Sequence, residues 1–123
     1  MPSDWVIALS WMVPGYLSVL GGSFLACHLL TKDWPSLKLV LSWAATPVAS
    51  WLAALVIIDR WIPLLNLLVE PVILGCFGGG LYLWASFASS MDQRRRRESL
   101  GLVILNIAAA LTGALFPVLG ESL

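Results

Sequence analysis

Four long apolar segments, separated by short polar breaks, constrain this chain more than any other feature of its sequence. The segments cover residues 5–30, 37–58, 61–90 and 100–119. A helix needs about 20 residues to cross the hydrocarbon core of a bilayer, and its backbone polar groups must be hydrogen-bonded within the segment. The sequence therefore predicts an all-α integral membrane protein, a four-transmembrane-helix bundle with short loops that forms one domain over residues 1–123.

The composition favours the same class of protein. Hydrophobic residues make up 59% of the chain and charged residues only 11%, whereas a soluble domain carries roughly 25% charged residues. With so few polar side chains, the chain cannot cover a folded surface in water. The only basic cluster is short and lies between apolar segments, so we expect no nucleic-acid partner.

The basic residues predict an orientation in the membrane. Six of the seven Lys and Arg residues lie in or beside the first and third loops, residues 31–36 and 91–99. Short loops rich in Lys and Arg stay on the cytoplasmic side, so both termini are expected on the outer side, most naturally of a bacterial inner membrane. We interpret the run of Arg94, Arg95, Arg96 and Arg97 as a topology anchor, and the alternative is a binding site for anionic lipid headgroups or an acidic partner. Bound lipid is expected, and no cofactor.

The start of the third helix decides where Glu70 lies. A helix over 61–90 would be about 45 Å long at 1.5 Å per residue, which exceeds the roughly 30 Å hydrocarbon core. The helix therefore tilts and covers about 64–90, or it begins later and covers 71–90. We favour the later start, because proline suits the first helical position and an acid suits the positive end of the helix dipole. Glu70 would then lie at the outer membrane surface.

The earlier start would instead place a carboxylate within the membrane. Ionisable residues in that position are functional hypotheses by default, so Glu70, Asn66 and Asn106 form the candidate intramembrane polar site. Asn66 lies one helical turn from Glu70, and Asn106 lies in the fourth segment. Such a glutamate could carry a proton or exchange it for a cation. No arrangement of residues predicts a catalytic nucleophile or a metal site.

Small residues at a spacing of four predict where the helices pack, because they allow close backbone approach in membranes. Each of the four segments contains such a set, and together they predict a compact bundle. The residues are Ser18, Gly22 and Ala26 in the first segment, Ala45, Ala49 and Ala53 in the second, Gly75 and Gly79 in the third, and Ala109 and Gly113 in the fourth.

These features favour a role carried out by surfaces within the membrane. The leading hypothesis is a non-enzymatic accessory or assembly subunit of a larger energy-transducing or transport complex, with lipids and other membrane subunits or further copies of the chain as partners. One alternative is a small homo-oligomeric transporter or channel that uses Glu70. A second alternative is a holin-like pore-forming protein. Enzymatic activity stays open, with the balance of motifs against it.

Overall fold

A computed structural model of the chain describes residues 2–32, 34–58, 62 and 64–117, and the described part is all-helical. Each helix is long and apolar enough to cross a membrane, as predicted for a four-helix membrane protein. The helices are α1 (Pro2–Thr31), α2 (Leu37–Ile58), α3 (Leu64–Ser86) and α4 (Met91–Leu115).

The helices are arranged as two parallel pairs. Helix α1 packs mainly against α3, and α2 packs mainly against α4; we call these the first pair and the second pair. Helix α3 also packs against α4, and α1 contacts α2 less extensively. The order around the bundle is therefore α1, α3, α4, α2, which places α2 and α3 on a diagonal. We call the end that carries Lys38 and the four arginines the basic end.

Glycines of α3 allow the close approach within the first pair. A Cβ built on Gly75 would lie 2.7 Å from the Cβ of Val19, and one built on Gly79 would overlap the side chain of Ser23. Both glycines are buried. Any larger side chain at these positions would push α1 and α3 apart, because the atom in contact lies at the base of the opposing side chain.

In the second pair, glycines of α4 face tryptophans of α2. A Cβ on Gly101 would lie 3.0 Å from the indole of Trp43, and one on Gly113 would overlap the backbone carbonyl oxygen of Trp51. Trp43 is 2% exposed and Trp51 is fully buried, as is Ala109. Close packing here combines a small residue on one helix with a large residue on the other.

The other predicted small faces lie elsewhere. Ser18, Gly22 and Ala26 are exposed, and so are Ala45, Ala49 and Ala53. A spacing of four identifies a stripe along a helix, but it does not say in which direction the stripe points. On α1 the residues that meet α3 are the next ones along the chain, rotated by about 100°, and on α2 the packed residues are large.

Two elements have bounds that differ from the favoured expectations, and the first is α3. It begins at Leu64 and contains Pro71 in its interior, so the favoured start at Pro71 is wrong. A proline inside a helix removes one backbone hydrogen bond. Here the turn before it is held by packing, because Asn66, Leu67 and Glu70 are buried and Pro71 lies against Gly15 of α1.

Helix α4 is the second element whose bounds differ from the expectation, because it begins at Met91 instead of Leu100. Ser90 is its N-cap and accepts a hydrogen bond from the backbone N–H of Gln93 at 3.1 Å, and Asp92 lies in the first turn. A capping hydroxyl and an early acid both stabilise a helix start. The arginine segment, expected as a loop, is therefore helical. The helix ends at Leu115, since the residue before Pro117 is held in an extended conformation.

A tyrosine compensates for the proline inside α2. Pro47 has no N–H, so the carbonyl of Trp43, four residues earlier, loses its usual helical donor. The hydroxyl of Tyr16 on α1 donates a hydrogen bond to this carbonyl oxygen at 2.6 Å. Tyr16 is fully buried, so the bond satisfies a backbone group in the core and also joins the first pair to the second.

Candidate functional site

Among the described residues, Glu70 is the only acidic or basic residue whose side chain is buried. It lies in the second turn of α3, away from the basic end, and it is fully buried. It therefore lies inside the bundle, while its expected position at the outer membrane surface stays a prediction about depth in the bilayer. An uncompensated buried carboxylate costs several kcal/mol even after relaxation of the surroundings, so the neighbouring groups must account for its presence.

Two side chains donate hydrogen bonds to this carboxylate. The indole Nε1 of Trp51 donates to Oε1 at 3.0 Å, and the amide Nδ2 of Asn66 donates to Oε2 at 2.9 Å. Both donors are themselves fully buried. Each oxygen of the carboxylate therefore accepts a hydrogen bond from a buried N–H group, which offsets part of the cost of burying it.

The Glu70 cluster connects three parts of the chain. Asn66 lies one turn before Glu70 on α3, where residues four apart are neighbours. Its Nδ2 also donates to the backbone carbonyl oxygen of Pro117, just beyond the end of α4, at 2.9 Å. Trp51 belongs to α2. The cluster of Glu70, Asn66 and Trp51 therefore joins α2, α3 and the C-terminal end of α4 at one end of the bundle.

The hydrogen bond from Trp51 to Glu70 spans the diagonal of the bundle. Helices α2 and α3 belong to different pairs and share little backbone contact. The long indole side chain of Trp51 carries its donor at its far edge and reaches across to the carboxylate. The bond is therefore a polar link between the first pair and the second pair.

The third predicted site residue, Asn106, belongs to a different cluster. Its Oδ1 accepts from the hydroxyl of Ser50 at 2.6 Å, and its Nδ2 donates to Oγ1 of Thr46 at 3.0 Å and to the carbonyl of Leu102 at 2.8 Å. These residues are half-buried or exposed. Asn106 therefore ties α4 to α2 within the second pair, and the structure does not bring it to the carboxylate.

The four arginines divide into two groups. Arg94 forms an ion pair with Glu98 at 3.3 Å and donates to the hydroxyl of Tyr82. Arg97 donates to the carbonyl of Trp84 at 2.8 Å and lies 4.9 Å from the centre of its ring. These two arginines fasten the start of α4 to the end of α3. Arg95 and Arg96 are exposed and remain directed away from that contact.

The sequence did not predict Trp51 as part of this site, although Trp51 donates the hydrogen bond that links α2 to Glu70. Trp51 and Glu70 lie on different helices, and no periodicity relates them. The one available signal was chemical: a carboxylate in an apolar core needs N–H donors, and tryptophan is the most frequent residue type with a side-chain N–H in this chain. Comparison with known families, characterised proteins and solved structures finds no match for the chain.

Proposed function

We propose that this protein is a small non-enzymatic membrane transporter in which Glu70 exchanges a proton for a small cation. The observation that carries the proposal is the fully buried carboxylate held by Trp51 and Asn66. Intramembrane carboxylates are rare and expensive, and they mark ion and proton pathways. A purely structural link between α2 and α3 could be made with neutral side chains at lower cost.

The same proposal places the protein in a bacterial inner membrane with its basic end in the cytoplasm. Four helices of spanning length and the position of Lys38 and the arginines support this orientation. The Glu70 cluster would then lie towards the outer side. A cysteine introduced at Ser89, between α3 and α4, in a variant that lacks Cys27 and Cys76, should not react with an impermeant thiol reagent added outside. Reaction there in sealed cells would contradict the orientation.

The chemistry of the cluster explains how binding would change the structure. In the observed state Glu70 accepts from both N–H donors. Protonation removes the negative charge and adds an O–H donor to one oxygen, so both N–H bonds to the carboxyl group become weaker. The bond from Trp51 is then weakened, and so is the link across the diagonal. The two pairs would then be held less tightly at the Glu70 end of the bundle. The Tyr16 hydrogen bond and the arginine contacts would still join them, so the pairs could tilt about those contacts, as in alternating access.

The experiment is a cation-driven proton flux through purified protein in liposomes. The vesicles contain a pH-sensitive dye, and Na⁺ or K⁺ is added outside. We expect a change in internal pH with the natural protein and its loss in Glu70→Gln, which keeps the shape but cannot ionise. Asp92→Asn removes an exposed acid at the basic end and serves as the matched control, with flux unchanged. Flux in Glu70→Gln at the level of the natural protein would refute the role of this carboxylate.

A role as an accessory subunit of a larger membrane complex is the second candidate. The exposed small residues of α1 and α2 favour it, since faces of this kind allow close approach of another membrane helix. The two candidates give different results in one purification. A subunit should copurify with larger membrane proteins in a mild detergent and show no cation-driven flux alone, whereas a transporter should be active without them.

A further inference from the structure

A polar groove lies at the basic end of the second pair, far along the bundle from Glu70. It has a volume of about 370 Å³ and opens between the first turns of α2 and the second and third turns of α4. Its lining combines two cationic side chains, three hydroxyl groups and one buried aromatic ring. These are Lys38, Arg95, Ser36, Ser42, Ser99 and Trp43.

The charges around the groove are unequal. Glu98 also lines it, but the guanidinium of Arg94 is paired with that carboxylate at 3.3 Å. Arg94 and Arg97 make their contacts with α3, so Arg95 is the member of the arginine run that the fold directs to this groove. Lys38 and Arg95 therefore give the groove a positive potential.

The start of α2 adds to this potential. The Oγ of Ser36 accepts a hydrogen bond from the backbone N–H of Leu39 at 3.2 Å, as an N-cap residue does. The positive end of the α2 dipole therefore faces the same groove as the two cations. The hydroxyl groups of Ser42 and Ser99 can donate hydrogen bonds to an acceptor, and a guanidinium can bind two phosphate oxygens at once.

We infer that this groove binds the phosphate group of an anionic phospholipid. Polar groups line the groove at the end of the helices, and the exposed surface of the same two helices is apolar further along, with Leu41 on α2 and Val103 on α4. A headgroup in the groove would place its acyl chains along that surface. The inference needs the chain to be in a membrane, but it is independent of transport by Glu70.

The test counts lipids bound to the purified protein by native mass spectrometry during titration with phosphatidylglycerol or phosphatidylcholine. The double variant Lys38→Gln/Arg95→Gln should bind phosphatidylglycerol at least about tenfold more weakly, since basic side chains contribute strongly to binding of anionic lipids. The matched control is Arg96→Gln, which removes one exposed charge from the same helix turn without touching the groove. Its binding should weaken less than that of Arg95→Gln and by no more than about fivefold, the effect of roughly 1 kcal/mol for one basic side chain.

Three results would overturn the inference. If Arg96→Gln and the single groove variant Arg95→Gln weakened phosphatidylglycerol binding equally, the lipid would be attracted by the overall positive charge of the basic end and not by the groove. Equal affinity for the two lipids would show that the anionic headgroup is not selected. Displacement of phosphatidylglycerol by inorganic phosphate at the same concentration would assign the groove to a free phosphate ion. Circular dichroism of each variant establishes that a loss of binding is not a loss of fold.

Discussion

Substitution of Tyr16 by Phe removes one hydroxyl group and leaves the shape of the ring in place. The lost bond is the one that satisfies the Trp43 carbonyl, at 2.6 Å in a fully buried position. Because Pro47 has no N–H to offer that carbonyl, the variant leaves a buried acceptor without its donor. Such a loss costs about 1–3 kcal/mol, and we expect Tyr16→Phe to destabilise the protein by this amount.

The reasoning predicts a specific rescue. Substitution of Pro47 by Ala restores a backbone N–H four residues after Trp43, where an α-helix would bond it to the same carbonyl. The cost of Tyr16→Phe should therefore fall by at least about 1 kcal/mol when it is measured in Pro47→Ala, a coupling typical of residues that share a partner. Pro47→Ala by itself changes core packing, so only the difference between the two costs is informative.

The assay is equilibrium unfolding in mixed micelles with rising SDS, followed by the circular dichroism of the helices. Tyr82→Phe is the control, because its hydroxyl contacts the charged side chain of Arg94 and is unrelated to Pro47. Its cost should be the same in both backgrounds. A cost of Tyr16→Phe below about 0.5 kcal/mol, the range of neutral surface changes, or an equal cost with Pro47 and with Ala, would refute the compensation.

Further substitutions test other contacts by the same assay. Gly79→Leu should destabilise the protein by about 1–3 kcal/mol or more, as overpacking does. Gly80→Leu should have little effect on stability, because an added Cβ there meets nothing within 4 Å. Equal costs would contradict the close packing of α1 against α3. Asn106→Leu should cost about 1 kcal/mol, because it removes the acceptor of the Ser50 hydroxyl, and a stabilised variant would contradict that. Trp51→Phe should destabilise the protein by about 1.5–3 kcal/mol, because it removes the hydrogen bond to the Glu70 carboxylate. An unchanged stability would contradict the proposed link between the first and second pairs.

The number of helices could be predicted from hydropathy, because a spanning segment is a local property of about 20 residues. The start of α3 could not, because proline and an acid both favour a helix start when judged locally. Helix α3 begins earlier because Asn66 and Glu70 are buried against the other helices. The length and composition of one segment carry no information about that burial.

The direction of each helix face was also beyond the sequence. Gly75 and Gly79 lie at a helix contact, but Gly22 does not, although each of the three has a small residue four positions away. What separates them is the rotation of each helix about its axis. That rotation is set by partners such as Val19, which carry no signal of their own in the sequence.

The role of Glu70 is tested most directly by its reaction with a hydrophobic carbodiimide, which modifies protonated carboxyl groups in apolar surroundings. The protein is treated in liposomes, digested and mapped by mass spectrometry, and proton flux is measured in parallel. We predict that the adduct forms on Glu70, that Na⁺ or K⁺ slows its formation, and that flux falls in proportion to labelling. Modification of Asp92 or Glu98 without Glu70, or full labelling of Glu70 with unchanged flux, would contradict the proposed exchange of a proton at this carboxylate.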